Sequence, residues 1–294
     1  MSIDHDEVAA SDGAAIVITH SASTDVGRVR SVNEDSYLAE LPVFLVADGM
    51  GGHARGDAAS RTVVETFRRH LSSGGPATPE QVLDAIHTAN AAVRALSAEG
   101  EEGTAVAGTT LAGVALVDSG EGALHWMAFN VGDSRVYHWD GRRLEQVSVD
   151  HSAVQELVDA GVIDAADAET HPDRNVITRA LGADDFVDPD VWLLPTSGRQ
   201  TFLICSDGIT KEVDVASIAG VLAAHGGDVD DVEGVAGELV RLAVDGGGRD
   251  NATAVVVESA AGAAGHLDGT TRDPGRGDHD DPAEDTRPRS GDAR

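Results

Sequence analysis

One cysteine, Cys205, and one lysine, Lys211, are all that 294 residues contain of either type. A lone cysteine excludes an intramolecular disulfide. Its place inside the apolar run TFLIC (201–205) reads as a small buried hydrophobe. Aromatic residues make up 3% of the chain against 41% hydrophobic residues in all, so the material for a core is mostly Ala and Val. Positive charge is scarce: 21 Lys and Arg face 51 Asp and Glu, a formal net charge of −30. Phosphate backbones and anionic lipid surfaces reward Lys and Arg, so this balance argues against nucleic acid and membrane partners. No run approaches the roughly 20 apolar residues that span a bilayer. The N-terminus MSIDHDEVAASDG has no basic stretch leading into an apolar one. The expectation is a soluble, cytoplasmic protein.

What the chain does contain is a single long patterned region. Residues 1–13 read as a flexible leader and residues 260–294, rich in Gly, Asp, Arg and Pro, as a disordered polar tail. Between them, 14–259 read as one domain, with no linker long enough to divide it and no internal repeat. Strand-like runs fall at 14–22, 36–41, 43–47, 109–117, 123–131, 134–140, 187–195, 201–206 and 252–259, with a hairpin through Asp140-Gly141. Helical spacing of Val63, Val64, Phe67 and Leu71 predicts a helix over 57–71. Thr78-Pro79-Glu80-Gln81 and Ser152-Ala153-Val154-Gln155 are capping-box signatures that open two more helices, and 232–245 is another amphipathic stretch. This succession predicts an α+β fold in which two sheets are covered by helices.

The most telling feature is a set of four corners where apolar runs meet an Asp: VFLVADGMGG (43–52), AFNVGDSRVY (128–137), TFLICSDGIT (201–210) and GGRDNATAVVV (247–257). A carboxylate at a strand tip is costly to bury without a positive partner. Asp48, Asp133, Asp207 and Asp250, with Glu34 and Asp35 just before the next strand, form an oxygen-only donor set unaccompanied by Cys or clustered His. Such a set selects Mg²⁺ or Mn²⁺ over Zn²⁺ or copper. Gly49 lets the backbone turn and can offer its carbonyl as a ligand. Two such ions about 4 Å apart share a bridging water, lower its pKa and aim it at a phosphorus centre. Arg30, the cation inside the acidic group, suits a bidentate grip on phosphate.

The ordered motifs RSVNEDS (30–36), VADGMGG (46–52), GTT (108–110), NVGDSR (130–135), DHS (150–152), ITRALG (177–182), SDG (206–208) and RDNAT (249–253) resemble the metal-dependent serine/threonine protein phosphatase family, type 2C, in its bacterial branch. The resemblance covers roughly residues 20–258, and it is the order of eight motifs, not any one of them, that is specific. It implies a four-layer α-β-β-α sandwich, two antiparallel sheets flanked by helices. It further implies that Asp48 bridges two Mn²⁺ or Mg²⁺ ions, that Gly49 donates its carbonyl, and that Asp207 and Asp250 complete the first metal site. Asp133 with Asp207 matches a third ion's site. Arg30 matches the phosphate-binding arginine, and Glu34 and Asp35 match acids that act near the centre, partly through water. Residues after Ser152 up to roughly Arg174 fall where the family has a mobile flap.

The activity so implied is hydrolysis of phosphoserine and phosphothreonine in proteins by a monomer opposing a serine/threonine kinase. A pseudophosphatase, or a phosphatase dedicated to one regulator, shares the same motifs. Eukaryotic members carry a His after Asp-Gly as a proposed proton donor; here that position is Met50. His53, His151 or a metal-bound water stand as alternatives for that role.

Overall fold

The structure, a computed structural model, describes residues 6–9, 15–51, 55–72, 74–98, 107–120, 123–168, 170–225 and 234–261. The chain opens with strands β1 (Asp6–Ala9), β2 (Ala15–Asp25), β3 (Asp35–Glu40) and β4 (Val43–Met50). Helix α1 (Arg55–His70) buries Ala59, Val63, Val64 and Phe67 on one face and ends in Arg68, Arg69 and His70, where cations suit the helix dipole. In α2 (Pro79–Ala98) the capping box forms in full. Thr78 N–H donates to Gln81 Oε1 (2.8 Å) and Gln81 N–H to Thr78 Oγ1 (3.3 Å).

Strands β5 (Gly108–Thr109), β6 (Leu111–Asp118), β7 (Leu124–Val131), β8 (Arg135–Trp139) and β9 (Leu144–Gln146) follow, with the chain crossing from one sheet to the other between β7 and β8. The expected hairpin joins β8 to β9, with Asp140 Oδ1 accepting the N–H groups of Arg142 and Arg143, both at 2.7 Å. Two short helices, α3 (Ala153–Asp159) and α4 (Ala165–Ala168), lead to β10 (Asp190–Pro195) and β11 (Arg199–Cys205). Gly161, at φ +67°, closes α3 while Val162 N–H reaches back to Leu157 O (2.8 Å). Helices α5 (Asp207–Thr210), α6 (Val215–His225) and α7 (Val235–Gly246) precede the last strand, β12 (Ala252–Ala261).

Among the described residues every pairing between these strands is antiparallel, in two sheets ordered β1-β2-β12-β11-β8-β9 and β10-β7-β6-β4-β3, with β5 added to β4. Strand alternation sends Phe44, Val46, Val114, Trp126, Phe202, Ile204, Val255 and Val257 between the sheets. Their neighbours Leu45, Ala47, Met127 and Phe129 face α1 and α2, and Leu203, Cys205, Ala254 and Val256 pack with α5, α6 and α7. The result is the expected four-layer sandwich. Each fully buried large side chain contributes about 1.5–3 kcal/mol, and Phe67 stacks on Phe129 with centroids 5.7 Å apart.

Two boundaries differ from expectation. Asp6–Ala9, inside the segment read as a flexible leader, pairs with Ala15–Ile18 and covers what would otherwise be an open edge of β2. β12 runs two residues past 259, because its partner strands β2 and β11 extend that far. The rest of the segment read as a disordered tail, 262–294, lies outside the described residues.

Candidate active site

Strand register gathers the acidic corners at one end of the sandwich. Asp35, first in β3, lies opposite Asp48 near the end of β4. In the other sheet the end of β11 pairs with the starts of β8 and β12, which brings the turns bearing Asp133, Asp207 and Asp250 to that end. Each corner is then held by its own hydrogen bonds.

Asp48 is fixed through its backbone. Its N–H donates to Thr110 Oγ1 (3.1 Å), and its carbonyl accepts from Thr110 N–H and Thr109 Oγ1, both at 2.9 Å. Thr110 Oγ1 also meets Ser134 Oγ (2.7 Å), linking the Asp48 strand to the Asp133 turn. These threonines read from the sequence as plain strand residues; the GTT motif was their only signal. Gly49 is required for space: a Cβ there would lie 2.1 Å from Gly56 O and 2.6 Å from Glu34 O.

Asp35 is buried between the sheets. Its Oδ2 accepts from Ser206 Oγ (2.8 Å) and Thr253 Oγ1 (2.7 Å), so it ties β3 to both flanking strands of the opposite sheet. Asn251 Oδ1 accepts Glu34 N–H (2.9 Å) while its Nδ2 donates to Val26 O and Val32 O, both at 3.0 Å. The Asp250 loop is thereby sewn to the loop carrying Arg30 and Glu34. Arg30 Nη2 rests on Asp250 at 2.9 Å from Oδ1. Lys211, four residues beyond Asp207, contacts Asp207 Oδ2 and stands 3.4 Å from Asp250 Oδ2.

The electrostatics are those of a crowded anionic pit. Burial first, then Asp35, Asp207, Asp133 and Asp250, hold the Asp48 carboxyl well above the usual range. Burial also raises Asp133 to about 7, with Asp207 adding to it, and Asp35 to about 6 against the pull of its two hydroxyl donors. Asp207 is raised by burial although Lys211 opposes the shift. Asp35 Oδ1, Asp133 Oδ1 and Asp207 Oδ1 are buried with no hydrogen-bond partner.

Orphaned carboxylate oxygens in mutual repulsion are what a hard divalent cation relieves, so the residues present fit a Mg²⁺- or Mn²⁺-type group. Among the described residues no three acids or His converge in ready ligating geometry. Instead Lys211 stands against Asp207 and Asp250, and Arg30 against Asp250.

His151 does not present itself to this pit. Its Nδ1 accepts Gly132 N–H (3.0 Å), its backbone N–H donates to Gly132 O (2.9 Å), and its Nε2 faces Asp190 Oδ2 at 3.4 Å. Asp190 is held in turn by Arg179 Nη1 (2.9 Å). Burial, then Arg179, keep the imidazole below its ordinary pKa, which favours its neutral form, and the ring joins the Asp133 turn to the start of β10. Beside it Arg135 grips Asp150 through Nε (3.0 Å) and Nη2 (2.7 Å). His53, the other side chain considered as proton donor, lies outside the described residues, and Met50 sits half-buried beside Gly108.

Comparison with known proteins identifies the family of the chain. The sequence pattern described as "Protein phosphatase 2C" matches residues 28–230. The serine/threonine protein phosphatase PstP of Mycobacterium tuberculosis is 35% identical over 244 residues, which cover 83% of this chain and 45% of that protein. The serine/threonine phosphatase stp of Listeria monocytogenes is 34% identical over 245 residues, covering 80% and 93%. The solved catalytic domain of PstP, in complex with two manganese ions, superimposes with a TM-score of 0.72 at 32% identity, covering 83% of this chain and 99% of that one. The chain belongs to the protein phosphatase 2C family. It spans about half the length of the first curated relative it matches.

Proposed function

We propose that this chain is a Mn²⁺- or Mg²⁺-dependent phosphatase of phosphoserine and phosphothreonine in proteins. The observation that carries the reading is that Asp35, Asp133 and Asp207, from three different chain segments, come to one end of the sandwich with buried Oδ1 atoms that have no hydrogen-bond partner. Asp48, Asp207 and Asp250 with the Gly49 carbonyl would hold two ions, and Asp133 with Asp207 a third. Bound there, divalent ions supply Lewis-acid polarisation and a water of lowered pKa. The similar catalytic domain of PstP was solved with two manganese ions, which supports the choice of metal.

The protein's own groups do the rest. Arg30, half exposed at the rim, swings from Asp250 to a phosphate oxygen and fixes the ester in line. Asp35 presents its unpartnered Oδ1 to water at the centre while Ser206 and Thr253 keep its other oxygen in place. Glu34 is held beside it by Asn251. The partners in this reading are phosphoproteins made by a serine/threonine kinase, met by a monomer in the cytoplasm. No helix among the described residues is long and apolar enough to cross a membrane.

The test is hydrolysis of p-nitrophenyl phosphate and of a phosphothreonine peptide with Mn²⁺, reversed by chelation and abolished in Asp48→Asn. Folded protein that binds Mn²⁺ yet turns over neither substrate would make the chain a pseudophosphatase and sink the reading.

A further inference from the structure

The chain's one lysine lies at the mouth of the anionic pit. Lys211 follows α5, one turn beyond Asp207, so its stem points back along the helix toward that carboxylate. Its ammonium contacts Asp207 Oδ2 and lies 3.4 Å from Asp250 Oδ2. These are two of the four acids assigned above to the metals. We propose that Lys211 is a tethered cation that neutralises this pit in the metal-free protein and competes with divalent ions for Asp207 and Asp250. The inference rests on the reading of these acids as metal ligands.

Three observations carry it. First, the backbone of Lys211 is anchored while its side chain is not enclosed. Its N–H donates to Asp207 O (2.8 Å), and Arg249, locked onto Glu212 at 2.7 Å, donates to Lys211 O (3.4 Å). The side chain keeps about a third of its surface in solvent, which leaves it a route out of the pit.

Second, the residue type suits a movable counter-ion. An ammonium is a compact point charge on a flexible stem, whereas a guanidinium is a planar fork. Every other Lys or Arg of this chain is an arginine. Its ammonium is placed between two carboxylates, in contact with Asp207 Oδ2 and 3.4 Å from Asp250 Oδ2.

Third, its neutralisation is incomplete. Asp207 Oδ1 and Asp133 Oδ1 stay without partners while Lys211 is in place. A divalent ion offers more charge and more coordination than one ammonium, so it displaces Lys211. Metal binding then costs the loss of the ammonium contacts, and the metal concentration needed to fill the site rises.

The experiment is calorimetric titration of MnCl₂ into the full chain as wild type, Lys211→Met and Lys211→Arg, with thermal unfolding of each in chelator. Lys211→Met should bind Mn²⁺ roughly tenfold more tightly, as expected for removing a unit charge beside a half-buried cation site. Its metal-free form should melt about 3 °C lower, because the carboxylates lose their counter-ion. Lys211→Arg keeps the charge and should return both readouts toward wild type. Equal Mn²⁺ affinity in wild type and Lys211→Met overturns the inference while leaving the metal site standing. Weaker binding by Lys211→Met also overturns it, since Lys211 would then support the metal. Absence of Mn²⁺ binding by all three proteins overturns it together with the metal-centre reading.

Discussion

Gly208 lies so close to Asn251 that a Cβ on it would stand 1.8 Å from the Asn251 carbonyl oxygen. This contact sets the distance between the two corners that carry Asp207 and Asp250, and no side chain can be added without moving backbone. Gly208→Ala should therefore cost about 3 kcal/mol or more of stability. Urea unfolding measures that cost. Phosphatase activity should fall with it, and retention of both would show that the corners are not held by this contact.

Asn251 joins the same corners by hydrogen bonds to Glu34, Val26 and Val32. Asn251→Ala leaves two carbonyls and one amide of a half-buried junction without partners, at a cost of about 1–3 kcal/mol. Hydrogen exchange at the Glu34 amide should accelerate in this variant more than exchange within β6. Uniform acceleration across the fold would instead point to global destabilisation alone.

The carboxylate pit makes the metal-free protein less stable as pH rises. Asp35, Asp48 and Asp133 have folded-state pKa values raised above the ordinary range, to about 6 for Asp35 and about 7 for Asp133. The folded state then binds more protons than the unfolded chain between roughly pH 4 and pH 7, and stability falls across that window. In chelator, Tm should drop by at least about 5 °C from pH 5 to pH 7.5. Saturating Mn²⁺ should reduce that slope. A metal-free Tm that rises over the range would contradict the burial of these groups.

Arg30 at the rim is expected to act on substrate rather than on metal. Arg30→Ala should raise KM for a phosphopeptide about tenfold, the loss of one charge-assisted contact. Mn²⁺ affinity should stay the same or increase, since Asp250 is released from its ion pair. Weaker Mn²⁺ binding in this variant would assign Arg30 to the architecture of the site instead.

The Arg135–Asp150 pair sits at the root of the segment read as a flap, where Asp150 also accepts from Gln146 Nε2 (2.9 Å). Arg135→Lys keeps the charge but loses the fork geometry and the contact with Tyr137 Oη. It should cost about 2 kcal/mol. It should also lower kcat more than Arg142→Lys, a change at an exposed hairpin residue. Equal effects of the two substitutions would remove the special role of the pair.

Much of the fold was legible along the chain because its signals are local. The reciprocal cap at Thr78 and Gln81, the Asp140-Gly141 hairpin and the apolar stripe of α1 all depend on residues within a few positions of each other. Five elements went unread, four of them because they are short. β1, β5, α4 and α5 are four residues or fewer, too short for a period to show. α6 was missed for a different reason: it is apolar nearly all round, so no polar face marks the 3.6-residue repeat.

By itself the sequence determined the positions of most strands along the chain, the residue types at the acidic corners and the family to which the chain belongs, because each is carried by local patterns or by short motifs in a fixed order. Tertiary structure alone decided which atoms of those corners are spent on holding the fold and which remain for chemistry. One oxygen of Asp35 is bound by Ser206 and Thr253 while the other stays unpartnered. His151 is taken up by Gly132 and Asp190, and Lys211 reaches two carboxylates, one of them 39 positions away. Those outcomes follow from sheet register and the packing of loops across two sheets, and such distances are written nowhere in the spacing of residues along the chain.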